Sequence, residues 1–496
     1  MTQKKAFTTS ATTGEAKKME KLDTRTKWTY SIGATGRDAA YALVSMYLMT
    51  YIQYTMKLSV AQFGAISGII VICLIWDAIN DPLMGIIIEN CHFKVGKYKP
   101  WILAGALLNA VVIIALFTIR PTGWGFVVFF GLSYLLWGMT YTMNDIAYWG
   151  MLPSLSSDAG ERNILVTLMS IFICIGQFSV AGIVPTVIAG NAVNAYRITA
   201  LIVALGFVLF QTLTVIGVRE RHHSAEDNTA SLSLKDMFKI FARNDQLIPA
   251  GISSLLFNIG MNLLLMFGMN FFYFEFGYSE GGNLVFLFTV MYGLGTLLSQ
   301  IAFPFFTKLM NRKQLLSIIT LITICGYAIL LLTGYVLPKS KLIINIAGFV
   351  IFFCQGVFNL VLLVMLNNTI EYDEYKFHER HDSIISTVRS FSAKLSGAIN
   401  QGIVNLVLII SGIYTISQSV SALEVQSGAG EISAAEVLEK ADVFIAEATG
   451  WQLFVLRLGI TLIPVAAILA AWLLLNKKYK IDENEYERIC AELKKI

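Results

Sequence analysis

The feature that most constrains the fold is a series of about twelve apolar runs along the chain. A helix needs roughly 20 mostly apolar residues to cross a hydrocarbon layer about 30 Å thick. The sequence predicts such helices near residues 29–53, 60–88, 101–119, 126–150, 163–188, 198–218, 247–273, 284–306, 315–334, 342–369, 383–413 and 451–475. Composition agrees, because only 14% of the residues are charged, whereas soluble chains average roughly 25%. The sequence therefore predicts an all-α membrane protein.

The distribution of Lys and Arg predicts the orientation of the chain. Cytoplasmic loops of membrane proteins carry the excess of these residues. With the N-terminus inside, the inner segments hold 27 of the 37 Lys and Arg residues and the outer segments hold six. The polar N-terminus also lacks the short apolar core of a signal peptide. We therefore expect a multi-pass protein of the cell membrane with both termini in the cytoplasm.

A polar segment divides the twelve spans into two sets of six. This division is typical of transporters built from two bundles, with the substrate site between them near the membrane midplane. The predicted units are a cytoplasmic tail (1–28), an N-terminal bundle (29–218), a central cytoplasmic loop (219–246), a C-terminal bundle (247–475) and a cytoplasmic tail (476–496). The acidic outer segment 414–450 is predicted to form a short amphipathic helix over the outer mouth, or a surface insertion.

The second span contains the sequence WDAINDPLMG, which places two carboxylates inside an apolar helix. An ionisable side chain at this depth costs at least about 2.5 to 3.5 kcal/mol and usually marks an ion or substrate path. Asp77 and Asp81 lie on one helical face, and Asn80 flanks them. These oxygens suit a small cation, or a proton shared by the carboxylates. The alternative for Asp81 is a surface role, capping a break at Pro82 or pairing with Lys97 or Lys99.

The fourth span, which contains TYTMNDIAYWGMLP, carries a further intramembrane carboxylate. Asp145 has Thr142 about one turn before it and Trp149 about one turn after it. A carboxylate accepts hydroxyl hydrogen bonds and a Trp ring covers the apolar face of a sugar, although Trp149 alone could be an interfacial anchor. The first and eleventh spans add the adjacent Arg37 and Asp38, and Lys394, whose alternative role is a structural ion pair.

Together these motifs resemble the glycoside-pentoside-hexuronide:cation symporters, the melibiose permease group of the major facilitator superfamily. The segments that carry the resemblance are WDAINDPLMG, GKYKPWIL, DIAYWGMLPSLSSDAGERN and NNTIEYDEYKFHERHDSI, with Lys394 behind the last. The resemblance covers nearly the whole chain. It implies a twelve-helix major facilitator fold in two six-helix bundles, and alternating-access import of a glycoside with Na⁺, Li⁺ or H⁺.

The resemblance also implies roles for individual residues. It assigns cation binding, including Na⁺ or Li⁺ if the cation is not H⁺, to Asp77, Asn80, Asp81 and Thr142, here called the cation set. It assigns sugar binding to Arg37, Asp38, Tyr141, Asp145, Trp149 and Lys394, here called the sugar set. Three positions depart from the pattern: Ser170 replaces an Arg of the fifth span, Asn359 beside Phe358 replaces a Trp of the tenth, and Asn368 replaces an acidic residue. The first two changes argue against an α-galactoside as the substrate.

Other classes of function are less well supported by the sequence. An intramembrane aspartyl protease needs aspartates on different helices with a GxGD-type motif, which the sequence lacks, so we predict a protein that is not an enzyme. A Na⁺-coupled transporter of lysolipids or other amphiphiles, or an uncoupled sugar facilitator, remains an alternative. Asp38, Asp145 and Trp149 favour a polyhydroxylated ligand. We expect a functional monomer in the lipid bilayer, with no nucleic-acid partner and no cofactor beyond the co-transported cation.

Overall fold

The computed structural model of the chain describes residues 22–91, 93–156, 159–218, 220, 242–378 and 382–493. Residues 1–21 and 494–496 of the predicted tails lie outside the described residues, as does 221–241 of the predicted central loop. The described part of the chain is built from helices, and its only bridge of β type joins Thr333 to Leu337.

The helices follow the order of the predicted spans. Helix α1 consists of Thr24–Ala42, a π-helical turn Leu43–Tyr47 and Leu48–Thr55. It is followed by α2 Val60–Asn90, α3 Lys99–Thr118, α4 Trp124–Leu155, α5 Ala159–Ile188, α6 Ala192–Gly217, α7 Leu247–Phe276, α8 Tyr278–Leu309, α9 Arg312–Leu332, α10 Lys341–Phe377, α11 Asp382–Ile410, α12 Ile413–Gly428, α13 Ala434–Ala446, α14 Gly450–Lys478 and α15 Glu483–Leu493. Helices α1 to α11 correspond to the first eleven predicted spans, and α14 corresponds to the twelfth.

Eleven helices in the described part of the chain are long and apolar enough to cross a membrane, namely α2 to α11 and α14. The remaining predicted span is α1. It is divided by the π turn and carries the charged residues Arg37 and Asp38, so it is not among the eleven. It nevertheless packs against α5 and α6 within the same set of helices. The structure thus confirms the predicted all-α membrane fold and is consistent with twelve spans.

Helix packing separates the first six helices from the later ones. Helix α1 packs on α5 and α6, and α2 packs on α4, while α7 packs on α14 and α8 on α10. Helices α2 and α11, and helices α5 and α8, join the two sets. Glycine permits the closest approaches. A Cβ atom on Gly176 of α5 would lie 2.2 Å from the carbonyl oxygen of Thr35 in α1, so a larger residue would push these helices apart.

The acidic segment predicted as one amphipathic helix or a surface insertion contains two helices, α12 and α13. We call residues 413–446 the outer cap, because they follow the eleventh helix of the chain and the predicted orientation places that end of the helix on the outer face. The Tyr414 hydroxyl donates to the Leu58 carbonyl oxygen at 3.0 Å. The Gln418 side chain accepts from the Leu58 amide at 3.0 Å and donates to the Gln53 carbonyl at 3.0 Å. The cap therefore connects the C-terminal helices to the end of α1.

A second group of contacts ties the cap to α6 and α8. Glu424 is fully buried, and its carboxylate accepts hydrogen bonds from the backbone amides of Gly190 and Ala192 at 2.7 and 2.5 Å. The Tyr278 hydroxyl donates to the same carboxylate at 2.8 Å. Below the cap, the side-chain Nε2 atom of Gln53 donates a hydrogen bond to Asn270 Oδ1 at 2.7 Å. These bonds hold the two helix sets together at the cap.

Candidate functional site

A buried arginine organises the first part of the site. The Arg37 guanidinium donates to Asp38 Oδ2 from Nη2 at 2.7 Å and from Nε at 3.0 Å. Its Nη1 atom lies 3.0 Å from Asp145 Oδ1, which forms an ion pair between α1 and α4. The guanidinium also lies over the rings of Tyr148 and Trp149, at 4.8 and 5.4 Å from their centroids. Arg37 thus brings together three other members of the predicted sugar set, namely Asp38, Asp145 and Trp149.

Aromatic rings extend this cluster along α4. The ring of Tyr141, a member of the sugar set, lies 5.3 Å from Tyr41 and 5.8 Å from Trp137 between centroids. Trp149 keeps 40% of its surface exposed, so its ring is available for stacking. Tyr41 and Trp137 were not predicted as site residues. The spacing of these residues could have identified them in the sequence. Trp137 precedes Tyr141 by four residues and Tyr41 follows Arg37 by four, and this spacing places each pair on one helical face.

The predicted cation set lies where α2 meets α4. The Thr142 hydroxyl donates to Asp81 Oδ1 at 3.0 Å. Asp77 packs against Gly138, because a Cβ atom at that glycine would lie 2.8 Å from Asp77 Oδ1. Asn80 is buried, and its side-chain nitrogen has no hydrogen-bond partner in the described structure. Carboxylate, amide and hydroxyl oxygens of this kind suit a hard cation. The side-chain oxygens of Asp77 and Asn80 accept no hydrogen bond from a described residue, so they are available to a cation.

Lys394 of α11 forms an ion pair with Asp81 and so connects the two helix sets. The alternative surface role for Asp81 is wrong in both of its forms. The α2 backbone remains helical through Pro82, so no break needs a cap there. The ion-pair partner is Lys394 and neither Lys97 nor Lys99. The structure therefore brings Lys394, predicted for the sugar set, into direct contact with the cation set, as the predicted alternative of an ion pair allows.

Two positions that depart from the family pattern, Ser170 and Asn359, form no hydrogen bond or ion pair with the cluster among the described residues. The Ser170 hydroxyl donates to the Val166 carbonyl of its own helix at 2.7 Å. Asn359 is exposed. Sequence reasoning missed Gln177, which follows Ser170 by seven residues and so lies two turns further along the same face of α5. Its Nε2 atom donates to Asp38 Oδ1 at 3.2 Å.

In the described part of the chain, eleven helices that can cross a membrane pack in two sets, and a charged cluster within the first set is joined to the second by Lys394. This arrangement is that of a membrane transporter of the major facilitator class. A family model described as "MFS/sugar transport protein" matches residues 29–483. The chain belongs to this family.

Several relatives have names that describe sugar carriers. The chain is 26% identical to a lactose permease of Lactobacillus delbrueckii subsp. bulgaricus over 78% of its own length and 63% of the relative's. It is 26% identical to a raffinose carrier protein of Pediococcus pentosaceus over 78% of its length and 62% of the relative's. The chain thus spans less than two thirds of both relatives. A glucuronide carrier protein homolog of Escherichia coli is 24% identical over 79% of the chain and 85% of that protein.

Solved structures with the same fold are transporters. A point mutant of the nucleoside transporter NupG aligns with a TM-score of 0.60 at 15% identity, covering 90% of this chain and 99% of NupG. A bacterial homolog of the human lysosomal transporter Spinster, in an inward-facing and unoccupied conformation, aligns with a TM-score of 0.60 at 12% identity over 92% of this chain and 98% of that one. At these identities the likeness shows the fold alone.

Proposed function

We propose that this protein is a cation-coupled secondary transporter that imports a glycoside or related sugar with Na⁺, Li⁺ or H⁺ by alternating access. The proposal is supported by the family and by the sugar-carrier names of its relatives. The observation that carries it is the arrangement of α4. Thr142, bonded to Asp81, and Asp145, paired with Arg37, lie about one helical turn apart. A cation site and a sugar site would share this stretch of backbone.

The ion pairs suggest how the two ligands would be coupled. A cation that binds Asp81 must compete with the Lys394 ammonium, which is the only basic partner of that carboxylate among the described residues. Cation binding would therefore release Lys394 for a sugar hydroxyl, in keeping with its place in the sugar set. Likewise, sugar hydroxyls that donate to Asp145 would replace part of its ion pair with Arg37.

The outer cap supplies the barrier that alternating access requires on one side. Its contacts with α1, α6 and α8 close the outer face. Meanwhile Asp81 and Lys394 keep 30% and 35% of their side-chain surfaces exposed between the helix sets. We infer that this space opens toward the inner face. We take the inner face to be cytoplasmic, as the distribution of Lys and Arg predicts.

The proposal is tested by binding measurements on the purified, detergent-solubilised protein. Thermal unfolding would be followed with a panel of glycosides and a panel of lysolipids, each with and without Na⁺. A ligand that binds only the folded state raises the unfolding temperature. We expect stabilisation by at least one glycoside that increases with Na⁺. Stabilisation by lysolipids alone would favour an amphiphile transporter, and glycoside stabilisation indifferent to Na⁺, Li⁺ and pH would favour an uncoupled facilitator.

A further inference from the structure

The candidate site contains more carboxyl groups than basic groups. Among the described residues that interact across it, two groups are basic and four are carboxylates: Arg37, Lys394, Asp38, Asp77, Asp81 and Asp145. Both basic groups are engaged, because Arg37 contacts Asp38 and Asp145 while Lys394 contacts Asp81. When all four carboxyl groups are ionised, a bound monovalent cation offsets only one of the two excess negative charges. No basic side chain of the cluster is therefore left unpaired for an anionic substrate.

Helix α5 contributes a neutral side chain to this cluster. Gly176 lets α5 approach Thr35 of α1 closely, and the next residue, Gln177, thereby reaches Asp38. Arg37 occupies Oδ2 of Asp38 and Gln177 donates to Oδ1. The side-chain carbonyl oxygen of Gln177 accepts no hydrogen bond from a described residue, so it is free to accept one from a ligand. Gln177 thus adds hydrogen-bonding capacity to the site without adding positive charge.

We propose that this site selects neutral glycosides over hexuronides, and that Gln177 is a specificity-determining residue. The inference rests on the proposed sugar transport and names its substrate class. Hydroxyl groups of a neutral sugar can donate to the Asp38 and Asp145 carboxylates and to the Gln177 carbonyl. A uronide places a carboxylate among these carboxylates, where like charges repel strongly because the surroundings are partly desolvated.

The first test compares ligands that differ at one carbon. Calorimetry on the wild-type protein in Na⁺ would use 4-nitrophenyl β-D-glucoside against the glucuronide, and the β-D-galactoside against the galacturonide. We expect the neutral member of a pair to bind at least tenfold more tightly than its uronide. A uronide that binds equally or more tightly would overturn the inference while leaving sugar transport intact. If no member of either pair binds and lysolipids do, the proposed function itself fails, and the inference with it.

The second test changes the charge at one position. Gln177→Arg supplies a cation beside Asp38 and should narrow the neutral-to-uronide affinity ratio by roughly tenfold. Gln177→Met keeps a similar size without charge or hydrogen bonds, so both affinities should fall and their ratio should stay unchanged. A ratio within one variant is insensitive to the fraction of protein that folds. Equal shifts of the ratio in both variants, or none in Gln177→Arg, would contradict a specificity role for Gln177.

Discussion

Replacing Glu424 with alanine should open the outer face of the transporter. This carboxylate accepts two backbone amides, those of Gly190 and Ala192, and the Tyr278 hydroxyl. Because these donors belong to α8 and to the start of α6, Glu424 links both helix sets to the outer cap. The alanine variant leaves the three donors buried without partners when the outer face is closed, whereas water can reach them when it is open.

The size of this effect follows from the hydrogen bonds and from the burial of the charge. Each orphaned buried donor costs about 1 to 3 kcal/mol. Burial raises the pKa of Glu424 above its ordinary range, although the bonds from Ala192, Tyr278 and Gly190 oppose that shift. Removing the carboxylate therefore also relieves a desolvation cost, which offsets part of the loss. We expect a net shift toward the open state of about 2 to 4 kcal/mol, or roughly 30- to 900-fold.

Labelling of a cysteine below the cap would measure this shift. Thr50 is buried and lines a cavity of about 40 Å³ beneath the closed outer face. In a background with the six native cysteines replaced by serine, Thr50→Cys should react with a membrane-impermeant maleimide on intact cells much faster when Glu424→Ala is added. Glu431→Ala removes an exposed carboxylate from the same cap and should leave the rate unchanged. Equal rates with and without Glu424→Ala would refute a closing role for this residue.

Further predictions concern the two predicted ligand sets. Asp77→Asn and Asp81→Asn should abolish cation-dependent sugar accumulation while leaving membrane insertion intact, because each removes charge from the cation set; normal concentrative uptake in proteoliposomes would exclude the site. Asp145→Asn and Trp149→Ala should each lower sugar affinity at least tenfold at saturating cation, and calorimetry showing full affinity in either would place the sugar elsewhere. Lys394→Gln removes the ammonium group that competes with Na⁺ for Asp81. Na⁺ should therefore bind the sugar-free protein roughly fivefold more tightly, which corresponds to about 1 kcal/mol for a partly exposed ion pair. Weaker Na⁺ binding in this variant would show that Lys394 does not compete with Na⁺.

Local pattern was enough to predict the all-α fold, whereas the grouping of Thr142 of α4 with the carboxylates of α2 was implied only by the family resemblance. Apolar runs of sufficient length identify membrane helices with little ambiguity, because unpaired backbone groups are not tolerated in lipid. The intramembrane carboxylates Asp81 and Asp145 likewise had to face polar partners. The structure gives them the partners Thr142, Lys394 and Arg37. What the sequence could not supply was the identity of each partner, since Lys394 is 313 residues from Asp81.

The structure of the outer cap could also be predicted only in part from the sequence. The sequence SAAE at residues 433–436 is a signal for the start of a helix. In the structure the Ser433 hydroxyl accepts a hydrogen bond from the backbone amide of Glu436 at 3.2 Å. Gly430, with a φ of 78°, lies between the two cap helices in a conformation that glycine adopts readily. These local signals would have divided the predicted single helix into two. The burial of Glu424 depends instead on α6 and α8, which are distant in the sequence, so no local pattern predicts it.

The proposed transport mechanism depends most directly on coupling between the cation and the sugar through α4. Calorimetry on the wild-type protein would measure sugar affinity with and without cation, and cation affinity with and without sugar. Fixing the turn that contains Thr142 and Asp145 should favour both ligands, and linkage requires the same factor in both directions. We predict an increase of roughly 5- to 150-fold, or about 1 to 3 kcal/mol. Sugar affinity that stays constant across Na⁺, Li⁺ and pH would contradict the account.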